Sequence, residues 1–159
     1  FPGGLDPRHG VWLWRRGLDM LGFVHGAGYC HGAVLPHDLV VHPRDHGVLL
    51  VGWSWMSRPH DPGLVRCPRY VQFYGTAEMP SPALDCAMLA RCVAYVLGAD
   101  PRDWRLPPSV PSPLRELLQA AVDAQGPAQG AWRMSDGVRA AARQCFGTHV
   151  FVPLDVPPF

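Results

Sequence analysis

Between Ser81 and Gly98 lies the stretch that most restricts what this chain can fold into. Ser81-Pro82 has the form of a helix start: a hydroxyl to cap the first amides, then a proline suited to the first turn. Gly98 is a natural stop. The residues from Ala83 to Leu97 are apolar nearly all round, so the pattern predicts a helix buried at the centre of the fold. Such a helix needs other elements on every side.

The rest of the chain supplies them. Asp6 precedes Pro7 as a cap, and Val11, Trp14, Leu18 and Leu21 repeat on one face until Gly26-Ala27-Gly28, which predicts a helix over 7–26. Ser112-Pro113 caps another helix, with Leu114, Leu117, Leu118 and Ala121 on one face and Gly126-Pro127 beyond its end. Ser135 is placed to cap a last helix over 136–145, stopped by Gly147. Leu39 to His42 and Val48 to Val51 are short apolar runs separated by Pro43-Arg44-Asp45-His46-Gly47, a hairpin signal. Residues 55–80 read as a Pro-rich irregular stretch, and Pro101 to Pro111 as a link. The tail, 148–159, is apolar and Pro-rich and is expected to pack on the domain or on a partner. The fold class is mainly α with a small β-hairpin, an α+β domain.

Composition narrows the function classes. At 159 residues the chain is one domain's worth. Its formal charge of +1 offers no footprint for nucleic acid or for an anionic membrane. Every basic residue is arginine, and Lys, Asn and Ile are absent. That bias points to GC-rich codons, so the arginines carry no functional weight by number alone. Five cysteines (Cys30, Cys67, Cys86, Cys92, Cys145) form no CxxC pair, and two fall in the central helix. An odd, scattered set predicts reduced thiols and a cytoplasmic location. No apolar run approaches eighteen residues, and no signal peptide is evident. The chain opens with Phe1, which suggests a piece of a longer protein.

His31-Gly32-Ala33-Val34-Leu35-Pro36-His37-Asp38, followed by Leu39-Val40-Val41, resembles the catalytic loop of the protein kinase superfamily, His-Arg-Asp-Leu-Lys-Pro-Glu-Asn before a strand. His31 and Pro36 keep the histidine and proline, and Asp38 takes the place of the metal-binding asparagine. Upstream, Leu21-Gly22-Phe23-Val24-His25-Gly26-Ala27-Gly28-Tyr29-Cys30 resembles the end of kinase helix E. Gly52-Trp53-Ser54 stands where kinases place Asp-Phe-Gly, fourteen residues after Asp38. Ala77-Glu78-Met79 resembles Ala-Pro-Glu, although Glu78 stands closer to Asp85 than the family's glutamate does to its counterpart. Asp85 matches the helix F aspartate that braces the catalytic loop, and Trp132-Arg133-Met134-Ser135 resembles Arg-Pro-Ser. The resemblance implies a kinase-like C-terminal lobe over 1–147. Helix E would cover 7–26, the catalytic-loop equivalent 31–38, the hairpin 39–51, the activation-segment equivalent 52–80, helix F 82–98, and the last helices 112–146. It also implies an ion pair between Arg133 and Glu78, and a packing role for Trp53. An N-terminal lobe would lie outside this sequence: there is no Gly-rich phosphate loop and no lysine for nucleotide phosphates.

Where the chemistry should sit, the residues differ. Phosphoryl transfer needs a carboxylate to orient the hydroxyl and oxygen ligands for Mg²⁺. Ala33 replaces the catalytic aspartate, Leu35 the phosphate-contacting lysine, and Gly52 the metal-binding aspartate. Asp38 alone could hold a cation, and one carboxylate is a poor Mg²⁺ site unless nucleotide phosphates complete it. The expectation is a non-catalytic, pseudokinase-like module with a protein partner. No cofactor is expected, and Mg-ATP enters only if nucleotide binding is retained. Two alternatives stay open: a kinase or ATP-binding protein that uses Asp38 with an unseen lobe, and a metal-dependent enzyme built on His25, His31, His37, His42 and His46. Those histidines show no HExxH spacing, and Ser54 and Ser57 lie in no GxSxG elbow.

Overall fold

A computed structural model describes residues 3–123 and 130–156. Its centre is the helix predicted from Ser81 onward, here α3 (Pro82–Val96). Ser81 Oγ accepts the N–H of Leu84 at 3.1 Å, and Gly98 follows at a φ of +98°. Every residue from Leu84 to Ala94 is buried. One of them is a charge that the apolar reading passed over. Arg91 donates to the carbonyls of Phe73 (2.9 Å) and Val122 (2.7 Å), and burial pulls its pKa down.

Around α3 stand α1 (Pro7–Gly26), the short α2 (Val71–Tyr74), α4 (Ser112–Asp123) and α5 (Ala131–Phe146). Asp6 caps α1 as expected, its carboxylate accepting the N–H of Arg8. Trp14, Leu18 and Leu21 are fully buried, whereas Val11 is half-buried. Three glycines inside α1 mark close approaches. A Cβ on Gly17 would meet Leu89 of α3 at 2.6 Å, one on Gly10 would meet Leu97 at 2.9 Å, and one on Gly22 would meet Trp132 of α5 at 2.6 Å. α1 thus packs on both α3 and α5, and α4 packs on the same two helices.

The hairpin pairs β1 (Leu39–His42) with β2 (Gly47–Leu50) in antiparallel register, Leu39 opposite Leu50 and Val40 opposite Leu49. β2 begins one residue earlier than expected. Val40 and Leu49 face out, half exposed, while Leu50 is buried. At the turn His46 adopts a φ of +49°, and its carbonyl accepts the indole N–H of Trp12 at 2.6 Å. The tail returns here: Phe151 stacks on the His46 ring, which stacks on Trp12. The expected packing of the tail on the domain is met at that residue.

Three expectations need correction. α5 begins at Ala131, so Ser135 lies inside the helix, and its hydroxyl donates to Asp19 of α1 at 2.9 Å instead of capping. The supposed irregular stretch, 55–80, contains α2 and a short 3₁₀ turn at Pro68–Tyr70, and another 3₁₀ turn, Trp53–Trp55, leads into it. Glu78 and Arg133 are both exposed, and no ion pair joins them among the described residues. Arg91 instead ties the segment at Phe73 to the rest, because it projects from the central helix while Arg133 lies on an outer face. Gly126-Pro127 lies outside the described residues. No described helix is long and apolar enough to cross a membrane.

Candidate functional site

The loop from Cys30 to Asp38 enters the core and leaves it as β1, and its shape is imposed from α3. Asp85, in the first turn of α3, is fully buried. It does not cap its own helix, a task that Ser81 performs. Its Oδ2 accepts the backbone N–H of His31 at 2.7 Å, and its Oδ1 accepts that of Gly32 at 2.8 Å. His25 Nε2, from the last turn of α1, meets the same Oδ2 at 3.0 Å. A buried carboxylate is tolerated only when such donors replace its water, and here they come from α1 and the loop.

His31 is also fully buried. Its Nε2 lies 2.7 Å from the carbonyl of Val51, and its Nδ1 accepts the N–H of Ala33 at 3.3 Å. That pair of bonds defines a neutral ring with the proton on Nε2. The ring packs edge-on against Trp53, whose indole N–H donates to Leu50 at 2.7 Å. His31 therefore ties the loop to the segment that follows β2. Cys30 does the same one residue earlier, exchanging two backbone hydrogen bonds with Ser57.

Between these braces the positions that the kinase resemblance marks for chemistry are apolar. Ala33 and Leu35 are buried in the core, and the Val34 carbonyl between them faces the thiol of Cys92. Pro36 starts a 3₁₀ turn that ends at Asp38. The Asp38 carbonyl accepts Val51 N–H at 2.8 Å, and its carboxylate lies 3.6 Å from His37 Nε2. Burial raises the Asp38 pKa, partly offset by His37 and His31. Directly opposite is Gly52, at a φ of +84°, where an added Cβ would stand 2.5 Å from Asp38 Oδ1. Asp38 and Gly52 are neighbours, and their contact leaves no room for a second acidic side chain.

The histidines do not converge. His31 is in the core, His37 lies beside Asp38 and Tyr70, His42 pairs with exposed Asp45, and His46 sits in the hairpin turn. Among the described residues, one group of metal-ligand type is compact: His25, Cys30 and Asp85, whose donor atoms all lie within 4.8 Å of one another. Asp38 lies outside it. Sequence reading placed Asp85 under the loop but missed that His25 and Cys30 meet it. The available signal was a histidine in the last turn of α1, five residues before Cys30.

No family model matches this chain, and no curated protein matches it.

Proposed function

We propose that this chain is a kinase-like C-terminal lobe without phosphotransfer chemistry, which acts as a binding or regulatory module for a protein partner. One observation carries the reading. A helix-borne carboxylate, Asp85, grips the backbone of His31 and Gly32, and His31 reaches on to Val51, so a catalytic-type loop is held in place. The groups that would react are absent from that loop and from the segment after β2: Ala33 offers no oxygen, Leu35 no charge, and Gly52 no ligand. A loop retained without its reactive groups fits binding better than turnover. The outward Val40 and Leu49 of the hairpin, with Trp55 and Met56 beyond it, offer apolar surface for such a partner.

The test is a melting titration with ATP, with and without Mg²⁺ or Mn²⁺, followed by radiolabelled phosphotransfer. This reading expects no ATP-dependent shift, with or without either metal, and no transfer. A nucleotide at a hundred times its dissociation constant would add about 2.7 kcal/mol of stability. A shift of that kind would revive the alternative in which Asp38 helps to hold Mg-ATP, and measurable transfer would overturn the proposal.

A further inference from the structure

The compact group under the loop has the chemistry of a cation site. It joins an imidazole nitrogen, a thiol sulfur and a carboxylate oxygen, all buried or nearly so, with donor atoms within 4.8 Å of one another. Zinc takes that donor set, commonly with three protein ligands and one open position, whereas Mg²⁺ and Ca²⁺ select oxygens alone. Zinc bonds of about 2.0–2.3 Å put tetrahedral donors about 3.5 Å apart. The His25–Asp85 contact, now 3.0 Å, would open slightly, and rotation about the Cys30 side chain closes the longer gaps.

Two features suit the group to a metal. The amides of His31 and Gly32 already hold the carboxylate, the outer-shell support that metal-binding carboxylates need. At His25, Nε2 already faces the Asp85 carboxylate at 3.0 Å and Nδ1 is buried with no partner, so a metal on Nε2 would replace one hydrogen bond and disturb none at Nδ1. The exposed turn from Gly26 to Tyr29 borders the site and gives an ion its path.

We propose that His25, Cys30 and Asp85 bind one zinc-class divalent cation, clipping the end of α1 and the residue before His31 to the first turn of α3. On binding, the Cys30 S–H bond breaks and a sulfur–metal bond forms, the proton leaving to solvent. The His25 proton moves from Nε2 to Nδ1 by exchange with water, so one proton is released per ion. Because a proton leaves with each ion bound, occupancy rises with pH. This inference does not depend on the kinase-like reading.

The experiment is a Co²⁺ titration of the reduced, metal-stripped chain, followed by absorbance. The expected result is one Co²⁺ per chain with a thiolate-to-cobalt charge-transfer band, displaced by Zn²⁺. Cys30→Ser should lose the band, Cys145→Ser should keep it, and His25→Gln should weaken binding at least tenfold. A wild-type chain without the band, or a band that survives in Cys30→Ser, overturns the proposal. Should Cys30→Ser not fold, serine variants at Cys67, Cys86, Cys92 and Cys145 decide. Persistence of the band in all four supports Cys30, and its loss in any folded one overturns the assignment.

Discussion

Asp85 shows how much one buried side chain can organise. It accepts from three groups on two segments, so replacing one oxygen by an NH₂ turns an acceptor toward donors. Asp85→Asn should cost about 3 kcal/mol, the loss of charge-assisted bonds plus an unsatisfied buried donor, measured by urea denaturation. If the variant matches wild type, the brace is not what holds the loop. Gly52 poses the converse problem. Gly52→Asp would supply the carboxylate that the kinase pattern has at this place, yet it demands a left-handed φ and places a Cβ against Asp38 Oδ1. Backbone strain of about 1–3 kcal/mol, with like charges in contact, predicts a destabilised protein and no gain of phosphotransfer. A stable, active Gly52→Asp variant would show that the position can serve as a metal site and would overturn the proposed non-catalytic reading.

Elements obey their own propensities until packing overrules them. α1 carries Gly10, Gly17 and Gly22 in its interior, each costing about 1 kcal/mol of helix stability relative to alanine. At Gly17 the two effects oppose each other directly. Gly17→Ala gains that 1 kcal/mol of propensity, but the new Cβ meets fully buried Leu89 at 2.6 Å. Overpacking a core costs about 1–3 kcal/mol, so the variant should be less stable than wild type by about 1 kcal/mol. Thermal unfolding decides the sign, and a stabilised Gly17→Ala would mean that α1 and α3 can separate without loss. Arg91 obeys the same logic inside α3. A position that reads as a flaw in an apolar helix is the point where that helix holds the Phe73 and Val122 carbonyls.

At the scale of the molecule, α1, the hairpin turn and the tail meet in one aromatic stack of Trp12, His46 and Phe151, with His9 edge-on to His46. Burial holds the His9 pKa below its usual 6.5, with His46 and Arg8 adding to the shift and Asp6 and Asp155 opposing it. A depressed folded-state pKa means that the unfolded chain binds the proton more readily. This contribution to stability is therefore complete above about pH 6.5 and is lost as pH falls through the folded value. Urea denaturation at pH 7.5 and 5.5 should show wild type losing more stability on acidification than His9→Gln. Equal losses would place the pH dependence elsewhere.

Local patterning was enough for α1, α3 and α4, the caps at Asp6 and Ser81, the hairpin and the buried character of α3, because each depends on residues close in sequence, whereas α2 and the first turn of α5 went unread. Asp85 was expected beneath the loop, and its carboxylate does hold the amides of His31 and Gly32. Ser135 misled because a serine in a helix interior carries the same letter as a cap, and only α1, arriving with Asp19, decides which it is. The meeting of His25, Cys30 and Asp85 spans α1, the loop and α3, and the contact of Asp38 with Gly52 spans the hairpin. Such contacts are set by how helices cross and how close glycine lets them come. Sequence determined the elements, and tertiary packing alone determined which side chains share a site.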